Sequence, residues 1–366
     1  MTGRERVLAA LAHREPDRVP FSWGFGPTRE MSAVLERDLA GRGIDWATLR
    51  FAAEDILTAT PDYTGPRLPA NVDVWGVRRR PVSYGGGAYD EIVGPPLAGV
   101  TDPRAVASYP WPDPDWFDWK GFRRRLLEPD PGRTKARRLG LVASGRPLEE
   151  YTWLTGLEET LVNLVLNPEL VHAALSRICD FFCEMQRRAA DACGDLIDLV
   201  FLADDLAGQR GLLFSRDTYR AMLQPHHRRL IDSARRLFPG ARVIYHTDGA
   251  VFEIIPDLLD AGVDVLEAVQ VDAAGMEPAR LKAAYGARLS FQGAIAVQSL
   301  LPRADEATVA RECRRLVDVL GRGGGYIAAP SHAVQVGTPT ANVLAMLRAV
   351  LGGADYERAL REARAR

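Results

Sequence analysis

Asp198-Leu199-Val200-Phe201-Leu202-Ala203-Asp204-Asp205 and Arg242-Val243-Ile244-Tyr245-His246 decide the fold. Each is an unbroken apolar run of strand length that closes on an ionisable residue. A strand without polar alternation is one buried on both faces, as in a parallel sheet covered by helices. Working outward, the pattern recurs at Leu139-Gly140-Leu141-Val142-Ala143-Ser144, Val263-Asp264-Val265-Leu266-Glu267, Leu289-Ser290-Phe291-Gln292 and Gly325-Tyr326-Ile327-Ala328-Ala329. Helices lie between. Leu157 to Ala192 is periodic with a break at Asn167-Pro168, because a residue before proline avoids the helical region. Ser215-Arg216-Asp217 caps a helix running to Phe238, where Pro239-Gly240 stops it, and Asp305 to Leu320 forms another that ends at Gly321. With Val19-Pro20-Phe21-Ser22-Trp23 and Asp55-Ile56-Leu57 as early strands, the expected architecture is α/β, an eight-stranded (β/α)8 TIM barrel, with a doubly wound open sheet as the alternative.

The 366 residues suit one such barrel, and a single domain over 1–366 is expected, with residues 60 to 135 as an irregular insertion. Pro, Gly and Trp crowd that stretch, as in Tyr84-Gly85-Gly86-Gly87 and Pro110-Trp111-Pro112-Asp113-Pro114-Asp115-Trp116. The aromatic residues between 84 and 119 can form a wall over the barrel mouth or ordinary core, and the glycine runs 85–87 and 323–325 read as turns.

Composition excludes several classes of function. With 46 basic against 48 acidic residues and a net charge of -2, the chain lacks the basic excess of a nucleic-acid binder. The clusters Arg78-Arg79-Arg80 and Arg123-Arg124-Arg125 lie among acids and prolines and read as solvated surface. No apolar run approaches the ~20 residues of a membrane span. The short run Val7-Leu8-Ala9-Ala10-Leu11 reads as an amphipathic helix rather than a signal segment, so a cytoplasmic protein is expected. Cys179, Cys183, Cys193 and Cys313 form no CxxC pair and read as reduced structural thiols. Neither GxGxxG, GxxxxGK[ST] nor GxSxG occurs, which removes the usual support for dinucleotide, nucleoside triphosphate and esterase chemistry.

Polar residues end five successive candidate strands: Asp204 and Asp205, His246 and Asp248, Glu267 and Gln270, Gln292, then Ser331 and His332. In a parallel barrel all of these open on one face, where active sites lie. His246-Thr247-Asp248-Gly249 is the sharpest local feature: imidazole and carboxylate can share a metal or work as an oriented acid/base pair, while the plainer reading is an Asx turn with Asp248 capping the helix at Val251. Asp204 and Asp205 could bind a cation or share a proton, or else cap the turn at Leu206 and pair with Arg210.

These residues resemble the uroporphyrinogen decarboxylase superfamily, which also contains methyltransferases that move methyl groups between corrinoid proteins and thiol or other acceptors. The resemblance rests on Arg4-Glu5-Arg6-Val7 to Pro16-Asp17-Arg18-Val19-Pro20, Asp73-Val74-Trp75-Gly76, Trp111-Pro112-Asp113-Pro114, Asp204-Asp205-Leu206 with Gln209, His246-Thr247-Asp248-Gly249, Gly323 to Ile327, Pro330-Ser331-His332, Gln335, and Pro339 through Asn342. It implies a (β/α) barrel with its site at the strand C-termini. Porphyrinogen decarboxylases carry an Arg-rich N-terminal loop for substrate carboxylates, whereas Phe21 to Pro27 has no Arg, which disfavours that reaction. The related thiol-directed methyltransferases hold zinc with a His-x-Cys pair and a later Cys; the matching positions here are His246, Asp248 and His332, a harder ligand set to which Glu267 could add a fourth member.

The resemblance thus implies a corrinoid-linked methyltransferase or demethylase component, with zinc on His246, Asp248 and His332 and the corrinoid on a separate protein. Asp204, Asp205, Glu267 and Gln292 are the candidate catalytic residues, and Trp23, Gln209, Tyr245, Gln270 and Gln335 the candidate substrate contacts. A small-molecule substrate is expected and a homodimer is compatible with the reading. The alternatives are a lyase that decarboxylates a small acid, with Asp204 or Asp205 stabilising the protonated intermediate, and a barrel that binds without turnover.

Overall fold

The computed structural model describes residues 1–83 and 88–365, so the turn expected at Gly85 to Gly87 lies outside the described residues. Strand β1 (Ile56–Ala59) is followed by an antiparallel hairpin of β2 (Arg79–Ser83) and β3 (Ala88–Ile92). Then come β4 (Ala136–Leu139), β5 (Leu199–Ala203), β6 (Arg242–His246), β7 (Val265–Glu267), β8 (Ser290–Ile295) and β9 (Tyr326–Pro330). Apart from the hairpin, these make one curled seven-stranded parallel sheet in the order β1-β4-β5-β6-β7-β8-β9.

The early stretch at Val19 to Trp23 is not a regular strand. It makes a single bridge, Phe21 with Ala328 of β9, and Asp55 N donates to Phe21 O on its other side. Phe21 N in turn donates to the buried Asp55 carboxylate, which Arg6 and Arg18 neutralise at 3.0 and 2.7 Å.

Register decides which side chains meet inside the curl. Residues paired across parallel strands point the same way. Ile56, Ala136, Leu199, Phe201, Ile244, Val265 and Ile327 form an inner apolar cluster, closed by Val7 and Leu11 of the helix Gly3–Leu11. Arg138 pairs with both Thr58 and Leu199, His246 with Ala203 and Glu267, and Gln292 with Ile327. Thr58, Arg138, His246, Glu267 and Gln292 therefore all face inward, on the same face of the sheet as the apolar cluster. Alternate residues, Tyr245 and Phe291 among them, face the surrounding helices.

One strand sits away from its expected place. Leu139 to Ser144 reads as a strand by apolarity, but the ladder is Ala136–Leu139 and Leu141–Ser144 is a helical turn. Two buried arginines, Arg137 and Arg138, disguise the true strand. Arg137 is satisfied by the carbonyls of Leu126, Asp130 and Lys135 and an ion pair to Asp130 at 3.5 Å, so its charge does not prevent burial.

The helix break at Asn167 appears as expected, between Leu157–Leu166 and Pro168–Cys193. Two aromatic residues of the insertion pack on that second helix: the Trp75 ring lies 5.0 Å from Phe181 and 5.6 Å from Phe182, and the Phe117 ring lies 6.4 Å from Phe181. All four cysteines are free thiols. Among the described residues, no helix is long and apolar enough to cross a membrane.

Glu150, on the helix Pro147–Thr155, gives a pH-dependent stability. It is 1% exposed, its Oε1 accepts from Arg146 Nε at 2.8 Å, and its Oε2 has no partner. Burial pushes the carboxyl up from 4.5 to about 7 against the pull of Arg146. A raised acid stabilises the fold fully below its unfolded value, and that contribution is lost as pH rises through about 7. The loss is on the order of 3 kcal/mol. Glu150→Gln, which keeps one acceptor for Arg146, should lose less stability than the parent between pH 5 and pH 8 in denaturant titrations. Identical losses would refute the assignment.

Candidate metal centre

His246 ends β6 with its ring on the inner face, 7% exposed. Its Nδ1 lies 2.5 Å from Glu267 Oε2, at the end of β7, so the register that pairs His246 with Glu267 also fixes the imidazole. With Nδ1 taken, Nε2 is the nitrogen free to face the centre, 3.9 Å from Asp205 Oδ1. Burial by itself would lower the His246 pKa, but the Glu267 charge and hydrogen bond outweigh it and lift the pKa to about 9.

Asp248 and His332 complete the group. One ligand atom from each of His246, Asp248 and His332 lies within 4.8 Å of the others, and His332 Nε2 is 3.9 Å from Asp248 Oδ2. Asp248 does not cap the following turn. Its backbone N–H donates to Asp205 Oδ1 at 2.9 Å, and its own Oδ1 is buried without a partner. Burial raises the Asp248 pKa, opposed by the two imidazoles. Gly249 is required behind it: at φ +88°, an added Cβ would stand 2.5 Å from Gly208 O.

An unpartnered carboxylate oxygen beside two imidazoles, one of them oriented from behind by a second carboxylate, fits a divalent cation of borderline softness such as zinc. Glu267 holds the rear nitrogen of His246 and acts as that orienting group, so the fourth ligand it was expected to supply is not what its geometry offers. Asp205, 51% exposed at the side chain and close to His246 Nε2, stands nearer to that role.

The sequence candidates separate into two groups. Asp205, His246, Asp248, Glu267 and His332 come together. Gln292 lies on the same inner face, fully buried with neither amide atom partnered. Gln270 Oε1 accepts from Gln209 Nε2 at 3.0 Å and Gly249 N at 2.9 Å, so this pair braces the loop carrying Asp248. Trp23 is buried, its Nε1 donating to Arg50 O at 3.1 Å, and Gln335 is exposed.

Asp204 and Tyr245 turn away from the centre. Asp204 accepts from the N–H groups of Leu148 and Glu149 at 3.0 and 2.7 Å and from His227 at 2.7 Å. It thereby caps the helix Pro147–Thr155, which has no side-chain cap of its own. Tyr245 packs its hydroxyl against the same His227 on the outer side of the sheet. A shared proton between Asp204 and Asp205 is therefore not what the pair is arranged for.

Two contributors escape a reading of motifs. The Phe25 ring lies 4.9 Å from the His246 ring and 5.0 Å from the His332 ring, covering both imidazoles. The signal for it is Gly24-Phe25-Gly26, whose glycines take φ of +61° and +77° and turn the ring over the site. Arg138 is the second, hidden in the misplaced strand.

The uroporphyrinogen decarboxylase family model matches residues 142–352. No curated protein matches the chain closely enough to count as a relative. Among solved structures, a methyltransferase from Methanosarcina mazei is similar in fold, with a TM-score of 0.67 and 19% identity over 95% of this chain and 98% of that one. A xylanase from Gloeophyllum trabeum, at TM-score 0.41 and 10% identity over 66% of this chain and 82% of that one, resembles it too distantly to bear on function.

Proposed function

The chain belongs to the uroporphyrinogen decarboxylase family, its match covering more than half of the residues, and from that premise we propose that it is a methyltransferase working at a zinc centre. The observation that carries the reading is the convergence of His246, Asp248 and His332, with Glu267 fixed behind His246. The fold it shares with the Methanosarcina methyltransferase supports the same choice. On this reading the sheet closes through Phe21 into the eight-stranded barrel, and the methyl group passes to or from a corrinoid carried by a separate protein.

His246, Asp248 and His332 would hold the metal. Bound there, zinc would supply Lewis-acid polarisation of the substrate's heteroatom. The protein's own part is positional. Glu267 keeps His246 in the tautomer that leaves Nε2 free, Phe25 excludes water from one side of both imidazoles, and the Gln209 and Gln270 pair steadies the loop of Asp248. Asp205, which accepts from the Asp248 N–H, is the exposed carboxylate at the mouth that would meet a polar group of the substrate.

Protein purified without chelators should carry about one zinc per chain and transfer methyl groups with a cobalamin species. Glu267→Gln should weaken zinc binding about 10- to 100-fold, as losing the partner of a liganding histidine does. Absence of metal from the parent protein, together with no methyl transfer on adding zinc, would sink the proposal.

A further inference from the structure

Beside the candidate centre stands a cation that the metal reading does not use. Arg138 is 4% exposed on the inner face of β4. Its Nη2 donates to Thr58 Oγ1 at 2.9 Å and Gly24 O at 3.2 Å, and its Nε to the same Thr58 oxygen at 3.3 Å, while Nη1 has no partner. The guanidinium lies 4.4 Å over the Phe201 ring. Among the described residues, no carboxylate oxygen comes within 4.0 Å of it. The Glu267 and Glu54 charges offset part of the cost of burying it from beyond contact distance, but buried charges are ordinarily paired in direct contact. The other buried arginines of this protein follow that rule: Arg6 meets Asp55 at 3.0 Å and Arg137 meets Asp130 at 3.5 Å.

Arg138 lines a cavity of about 480 Å³ together with Trp23, Arg50, Glu54, Thr58 and the exposed Glu36. Glu54 acts on it through space without touching it. Its two oxygens are occupied by the backbone N–H groups of Trp23 and Ile56, at 2.9 and 3.1 Å. The cavity also adjoins the candidate centre. The Phe201 ring beneath the guanidinium lies 6.2 Å from the His246 ring, and the Gly24 carbonyl that Arg138 binds belongs to the turn that places Phe25 over His246.

We infer that this cavity receives the anionic end of the substrate, a carboxylate or another singly charged oxyanion, with the guanidinium of Arg138, whose Nη1 has no partner, as its hydrogen-bond donor. Arg50 on the same wall adds positive field. One buried guanidinium suits one such group, since each carboxylate is best met by its own fork of donors. The size of the cavity admits a ring-sized body behind the charge, with Trp23 as an apolar wall. Calling that anion a substrate rests on the methyltransferase reading; its binding to Arg138 does not.

Calorimetric titration of metal-free protein with benzoate and with benzamide, its neutral counterpart, tests the site apart from the metal. Benzoate should bind in the roughly millimolar range and benzamide at least about 10-fold more weakly. Arg138→Gln should weaken benzoate by about 10-fold or more and leave benzamide alone. Should that variant fail to fold, the benzoate-to-benzamide ratio on the parent protein decides. Equal affinity for the two compounds, unchanged benzoate binding in folded Arg138→Gln, or failure of benzoate, acetate and methanesulfonate alike to bind overturns the inference. Protein that binds benzoate through Arg138 yet takes up no zinc would keep this site and lose only the metal reading.

Discussion

His246→Ala should empty the centre of metal and abolish methyl transfer. The expected loss of zinc affinity exceeds the 10- to 100-fold typical of a lost outer partner, because the residue removed is itself a ligand. A buried carboxylate, Glu267, would also lose its hydrogen-bonded partner at 2.5 Å. Breaking a buried pair on one side costs about 3–5 kcal/mol, so His246→Ala should melt earlier than the parent as well. His332→Ala separates the two effects. That side chain is 43% exposed, approaches the Asp248 carboxylate only at 3.9 Å and packs on the Phe25 ring, so its loss should remove metal at little cost in melting temperature. Metal analysis and thermal melts on both variants provide the check. Full zinc occupancy in His332→Ala would remove it from the ligand set.

Gly293→Ala should be the most damaging single substitution on the scaffold beneath the centre. Gly293 lies in β8 at φ +113°, and a Cβ there would stand 1.8 Å from Ala268 O, closer than any non-bonded contact allows. Relief requires β8 and the backbone following Glu267 to separate, which moves the carboxylate that orients His246. We expect a loss of about 4 kcal/mol or more, since both the positive φ and the clash with rigid backbone oppose the change. Gly353→Ala is the contrasting case. No atom lies within 4 Å of its added Cβ and its φ is ordinary, so stability should hold or rise by up to about 1 kcal/mol. Denaturant titrations of the two variants would decide it, and a native midpoint for Gly293→Ala would contradict the close approach.

Much of this was open to reading along the chain because a parallel sheet buried on both faces must be written in continuous apolar runs. Six of the seven strands of the curled sheet fall where such runs occur. The exception, Ala136–Leu139, carries Arg137 and Arg138, and local apolarity cannot register a charge whose partners come from distant segments. The same limit applies to Asp204. Its neighbour Asp205 stands at the mouth, but Asp204 belongs to a helix cap and a histidine 23 positions along the chain.

By itself, then, the sequence determined the α/β class, most of the strands and the gathering of polar strand ends on one face, because strand periodicity and strand-end placement are local properties. His246, Asp248 and His332 as one set came from the family resemblance. Only the tertiary structure decided how those residues divide their work. Register across β6 and β7 put Glu267 behind His246 rather than beside it, and the curl of the sheet brought Arg138 and Phe25 to the same interior from separate segments. Those outcomes depend on which strands become neighbours and which way each side chain faces, and both are set by packing over the whole chain.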